Sequence, residues 1–231
     1  MSGWKCLGIT ALLMGAATGC SSGPKQPANS YNPVYKSPDP ALDITPQQAN
    51  ERISAETHFA AAQLAEGQGR LPAAVDQYRR ALQVDANHVP SLYGLARIFT
   101  LSRNYSQAIP AWERYVRATH EDPSAWNNLA RCYELADQWA DAEASYLRAL
   151  QRSPEHRQTR INYGLMLAKR DRIDESREQL AKVLPETAVE YNLGSVYELR
   201  GMKKQASERY RAALALDPNM REAAQRLAGL R

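Results

Sequence analysis

The chain has 231 residues, 44% of them apolar, with 29 basic and 25 acidic side chains giving a formal net charge of +4. That composition excludes wholesale disorder, and with 2 Phe against 12 Tyr the core has to come from Leu, Ala and Tyr. Acids and bases are interspersed, which argues against a nucleic-acid partner, and the scattered Cys6, Cys20 and Cys132 offer neither a disulfide framework nor a metal site.

Residues 1–19 begin with a short cationic start ending at Lys5, followed by an apolar run from Leu7 to Ala17 and the small residues Thr18 and Gly19. The run is too short for a permanent transmembrane helix and reads as a cleaved leader. Small residues directly before Cys20 resemble the lipobox of bacterial lipoproteins, with Ala17 where leucine is commoner. The resemblance implies cleavage before Cys20 and lipidation of its thiol, so that two or more acyl chains anchor the protein stably. An ordinary secretory leader, with Cys20 a free thiol, is the alternative. Ser21 and Ser22 follow where an aspartate would favour inner-membrane retention in the lipoprotein family, so the resemblance implies the periplasmic face of the outer membrane.

Residues 20–44 carry prolines at 24, 27, 33, 38 and 40 and little aliphatic content. Such a segment buries too little surface to fold. It is expected to act as a tether spanning up to about 80 Å when extended. Thr45, Pro46 and Gln48 then supply a helix start expected to run on into the first repeat.

From there a 34-residue period dominates. Ala62, Ala96, Ala130 and Gly164 are 34 apart, as are Ala74, Ala108, Ala142 and Ser176, and Tyr78, Trp112, Tyr146 and Leu180; a last copy follows after 30, with Gly194, Ala206 and Tyr210. Small residues let two helices approach, and the large ones fill the space around the contact. Gly69, Asp137, Asp171 and Gly201 mark the turn inside a pair, and Pro154 and Pro218 stop the second helix. Pro185 arrives early, so the second helix of the fourth unit, about 173–184, should lose a turn.

Trp126, Leu129, Ala130, Tyr133, Trp139, Ala142, Tyr146, Ala149 and Pro154 resemble the tetratricopeptide repeat consensus position by position. The resemblance covers residues 55–220 and implies an all-α fold: a right-handed superhelical solenoid of five helix pairs plus a C-terminal capping helix. The units fall at about 55–88, 89–122, 123–156, 157–186 and 187–220 within an array over 45–220, with the cap at 221–231.

The resemblance also implies a concave face lined by first helices. Register places Tyr93, Arg97, Asn127, Asn128, Arg131, Glu134, Asn162, Tyr191 and Asn192 there as the candidate peptide-binding groove, with Phe59 and Gln63 preceding them. Asparagine amides suit an extended backbone and arginine forks suit carboxylates, so extended or acidic peptide segments of other proteins are the expected partners. A solvated groove without a single ligand is the alternative. A basic ridge, Lys169, Arg170, Arg172, Arg200, Lys203 and Lys204, is a second candidate surface, or plain solubilising turn chemistry.

No phosphate loop, paired cysteine ligands or metalloprotease helix is present in the sequence, so no catalytic residue, metal or cofactor is expected. His88 and His156 end units one and three, His120 with Glu121 and Asp122 reads as an exposed turn rather than a metal site, and Cys132 as a small core residue. The expected function is a membrane-anchored scaffold or assembly factor of the cell envelope. A pilotin-like pilus or secretin assembly lipoprotein and an accessory subunit of an envelope enzyme are the alternatives.

Overall fold

A computed structural model describes residues 54–230. The leader, Cys20 and the tether, on which the anchoring expectations rest, lie outside the described residues, as do residues 45–53. Eleven helices and no strand occur among the described residues: α1 Ala55–Gly67, α2 Leu71–Val84, α3 Val89–Leu101, α4 Tyr105–Ala118, α5 Pro123–Leu135, α6 Trp139–Arg152, α7 Arg157–Lys169, α8 Ile173–Ala181, α9 Glu186–Leu199, α10 Lys203–Leu216 and α11 Arg221–Gly229. They form five antiparallel pairs and a closing helix, the all-α superhelical solenoid that the period demands.

Each helix follows from its sequence. In α6 the apolar Trp139, Ala142, Tyr146 and Ala149 share one face, and beyond Arg152 the chain turns extended at Ser153 (φ −142°) just before Pro154. The expected continuation of a helix from Thr45 through the start of the first unit is not met. Ser54 is extended (φ −71°, ψ 160°) and its hydroxyl accepts from the Thr57 amide, so α1 has its own N-cap and starts afresh at Ala55.

The periodic small and large positions are the core. Ala62, Ala96, Ala130, Ala74, Ala108, Ala142, Ser176 and Ala206 are fully buried, as are Tyr146, Leu180 and Tyr210. A Cβ on Gly164 would sit 2.8 Å from the Leu180 side chain and one on Gly194 2.7 Å from the Tyr210 ring, so glycine takes the alanine position in the last two units. Apolar clusters cross unit boundaries: Trp112 and Val116 of α4 pack with Ala125, Leu129 and Cys132 of α5. No pair therefore hides its apolar surface alone.

Turns inside the five pairs share one construction. Gly69, Arg103, Asp137, Asp171 and Gly201 all have positive φ. The next amide in each case, from Arg70 to Ala65, Asn104 to Phe99, Gln138 to Tyr133, Arg172 to Leu167 and Met202 to Tyr197, reaches back to a helix carbonyl at 2.8–3.0 Å. This is the Schellman closure, which favours glycine and tolerates aspartate. Arg103 is the misfit, at φ 56°. Replacing Arg103 with glycine is expected to stabilise the array by about 0.5–1 kcal/mol, the relief of left-handed strain less the entropy glycine adds to the unfolded chain. An unchanged or lower urea midpoint would contradict this.

The fourth pair is short, as its early proline requires: α8 has 9 residues where α6 has 14. Pro185 then serves as the N-cap residue of α9, and Arg177 of α8 forms ion pairs with Glu186 and Glu190 of α9. The junction between units two and three is also distinct. His120 stands at the place of the closing proline, and both His120 and Glu121 have positive φ.

The histidines that end units one and three are structural. His88 is buried: it sits at the N-terminus of α3 with Nδ1 2.8 Å from the Ser91 hydroxyl and Nε2 2.9 Å from the Glu56 carboxylate of the preceding unit. His156 is half-buried, caps α7 through Thr159 and reaches Ser124 of the preceding unit at 3.3 Å. Both join neighbouring units, because the residue before each first helix lies beside the start of the previous one.

Candidate peptide-binding groove

A carboxylate near the end of the first helix organises the polar side of alternate units. In unit three, Glu134 is buried and accepts from the Tyr146 hydroxyl of its own unit at 3.0 Å and from Lys169 of the next unit at 2.5 Å. In unit five, Glu198 accepts from Tyr210 at 2.6 Å and from Arg226 of the closing helix at 3.4 Å. In unit one, Glu66 pairs with Arg97 of the next unit and lies against the Tyr78 hydroxyl. Unit two replaces the pair by Thr100 and Trp112, joined at 2.9 Å, and unit four by Ala168 and Leu180. Burial, with the carboxylate alongside, pushes the Tyr78 and Tyr210 hydroxyls up to about 12. They remain proton donors to their acids at neutral pH.

These latches take up several of the expected groove residues. Glu134 and Arg97 are engaged as described, and Arg131 stands half-buried against Tyr146. Asn162 and Asn127 are buried, and the Asn162 amide donates to Asn127 Oδ1 at 2.9 Å across the boundary of units three and four. Asn128, Asn162 and Asn192 share a register yet meet three situations: Asn128 is half-buried, Asn162 bonds across units, and Asn192 donates to the Ala188 carbonyl of its own helix at 2.7 Å. Tyr191 lies half-buried with its ring centroid 5.7 Å from that of Tyr210.

Phe59, Gln63, Tyr93 and Arg97 are the four expected residues that the structure brings into one pocket. The pocket, about 380 Å³, opens between α1 and α3 and is lined by Phe59, Gln63, Glu66, Tyr78, Tyr93, Arg97 and Tyr115 among others. Tyr93 is 41% exposed, with its ring 5.5 Å from Trp112 and 5.6 Å from Tyr115. Phe59 lies 6.0 Å from Tyr78 on the opposite wall. At Gly94 a Cβ would come within 2.4 Å of the Tyr78 ring, so the ring reaches the pocket because no side chain stands there. Tyr115 replaces the small residue found at its register in units one, three and five, Ala81, Ala149 and Ala213. That departure completes the aromatic lining.

The basic ridge is largely engaged. Lys169 bonds Glu134, Arg172 bonds Glu143 and Glu175, Arg200 bonds Asp171, and the Arg170 guanidinium lies 5.4 Å from the Trp139 ring centroid. The Arg172 bonds hold the Glu143 carboxyl below the usual carboxylate range. Cys132 is fully buried, and burial pushes its thiol up, away from reactivity. Among the described residues no cluster of metal-ligating side chains occurs, and no helix is long and apolar enough to cross a membrane.

Stacked helix pairs with an open, aromatic-lined depression between first helices define an α-helical repeat solenoid. A tetratricopeptide repeat profile matches residues 59–105, 93–155 and 136–191, and a second tetratricopeptide profile matches 191–220. The chain belongs to the tetratricopeptide repeat family. Similar solved structures include YrrB, a tetratricopeptide protein with an unusual peptide-binding site, 22% identical with a TM-score of 0.56 over 78% of this chain and 93% of YrrB. MamA is 18% identical with a TM-score of 0.57 over 73% of this chain and 94% of that one. The C-terminal part of a repeat protein from Cytophaga hutchinsonii is 18% identical with a TM-score of 0.59, covering 75% and 73%. These likenesses are of fold. A general transcriptional corepressor, trfA, of Dictyostelium discoideum is 27% identical over 101 residues, 44% of this chain and 7% of that protein. This chain thus spans a small fraction of that curated relative.

Proposed function

We propose that the protein is a lipid-anchored scaffold or assembly factor of the cell envelope, held through Cys20, that binds an extended peptide segment of a partner protein on the face formed by its first helices. The observation that carries the binding part is the pocket around Tyr93: an exposed aromatic ring in a ring-lined depression beside an arginine, where a folded array has no structural need to leave one. A bulky side chain of the partner enters between Phe59 and Tyr93, and a carboxylate on the same segment meets the exposed edge of Arg97. Support for the anchor comes from the small residues before Cys20. Similarity to YrrB, described as having a peptide-binding site, is consistent with the binding role.

Tyr93→Ala removes an exposed ring and is expected to leave the helix content unchanged. It should lower capture of a partner from solubilised membranes by the full-length protein at least about tenfold, the loss expected of a central aromatic contact. Capture at the wild-type level sinks the groove assignment. Cys20→Ser should move the protein from the membrane to the soluble fraction, and retention there would remove the lipid anchor.

A further inference from the structure

The second helices carry a pocket of their own, away from the groove proposed above. It measures about 510 Å³ and opens between α2 and α4, with the buried Leu82 and Leu95 and the half-buried Phe99 as its floor and the Pro110 ring on one wall. Its charged lining residues are Arg79 and Arg114. Neither has a carboxylate partner among the described residues: the Arg114 guanidinium donates to the Ala86 carbonyl at 3.0 Å, and that of Arg79 lies 5.8 Å from the Phe99 ring centroid. Two cations thus stand over an apolar floor with no acid among the lining residues.

The repeat supplies an internal control. One unit further on, a pocket of about 390 Å³ lies at the same register, with Val116, Leu129 and Tyr133 where the first has Leu82, Leu95 and Phe99. There Arg79 is replaced by Glu113, Gln83 by Arg117 and Gln107 by Asp141, and Glu121 joins the lining. The helix geometry and apolar floor are retained while the net charge of the lining reverses: Glu113 accepts from the Tyr133 hydroxyl at 3.1 Å, where Arg79 lies against the Phe99 ring. The two arginines of the first pocket have no such acid beside them among the lining residues.

We infer that the pocket between α2 and α4 binds an amphiphilic monoanion, an apolar body carrying one carboxylate or sulfonate, with the body on Leu82, Leu95 and Phe99 and the anionic head between Arg79 and Arg114. The volume lies in the range of small-molecule sites, and arginine forks match a two-oxygen head group. Pro110 carries no amide hydrogen and narrows one wall with an apolar ring, which favours a hydrocarbon or aromatic body over a polar one.

The probe is 8-anilinonaphthalene-1-sulfonate, titrated into the full-length protein by fluorescence, with sodium dodecanoate as competitor and the uncharged N-phenyl-1-naphthylamine as control. Saturable binding that dodecanoate displaces is expected. Arg79→Glu and, separately, Gln107→Asp each install the residue that the next unit carries at that register, and both residues are exposed. Each should weaken sulfonate binding about tenfold while leaving the uncharged control unchanged. Tyr93→Ala should leave sulfonate binding intact, so this site and the peptide groove fail or stand independently. Wild-type affinity for the sulfonate in both charge variants overturns the proposal, as does loss of binding in Tyr93→Ala alone.

Discussion

Truncating Tyr146 to alanine is expected to destabilise the protein by about 3–5 kcal/mol, the range for removing a buried aromatic side chain and leaving its cavity. Tyr146 is fully buried, its ring centroid is 5.7 Å from that of Tyr163 in the next unit, and its hydroxyl is bonded to Glu134. The truncation therefore empties the middle of the array and deprives a buried carboxylate of one of its two donors. Tyr146→Phe isolates the second effect. Lys169 still reaches Glu134, so a cost nearer 1–2 kcal/mol is expected from the lost hydrogen bond. Urea unfolding followed by circular dichroism measures both, and equal costs for the two variants would show that the ring contributes little beyond its hydroxyl.

Alkaline pH should unfold the array abruptly. Tyr78 and Tyr210 are pushed up to about 12 by burial and their carboxylate partners, and burial moves Tyr146 and Tyr163 higher still. The folded state holds these protons after the unfolded chain has begun to lose them near pH 10. The stabilisation is therefore fully present below pH 10 and is lost as pH rises. Each buried tyrosine lowers stability by about 1.4 kcal/mol per pH unit above 10. Four such groups act in the same direction, which makes high pH strongly destabilising. Helicity and tyrosinate absorbance should change together between pH 10 and 12. Tyrosinate appearing near pH 10 with helicity intact would show that the phenols are not held by the fold.

Much of the fold was legible because close helix contacts demand small side chains at fixed spacing. The alanines and glycines at the 62 and 74 registers announce the pairs, and four of the five left-handed turn positions carry glycine or aspartate. Arg103 was not legible, since arginine has no preference for positive φ and the turn is imposed by the helices around it. The short α8 followed from Pro185. The groove was less readable. Register says which residues share a face, but the Asn127 to Asn162 bond depends on how closely neighbouring first helices approach in the stack. The acid and tyrosine pairs could have been read: Glu66 and Tyr78, Glu134 and Tyr146, and Glu198 and Tyr210 are all 12 residues apart, with Thr100 and Trp112 matched in the same way. The buried His88 escaped because histidine beside a turn is usually exposed, and its carboxylate partner Glu56 lies 32 residues upstream.

The latches occur in units one, three and five and each reaches forward into the element that follows. Two successive units are then the smallest segment that begins at a latch and ends ready to meet the next one. Excising unit two would leave Glu66 facing Arg131, which stands at the register of Arg97, whereas excising unit three would set Thr100 where Lys169 meets Glu134, and excising unit four would take Lys169 away from Glu134. The array is thus not freely shortened at its centre, a constraint written into side chains rather than into the helical backbone.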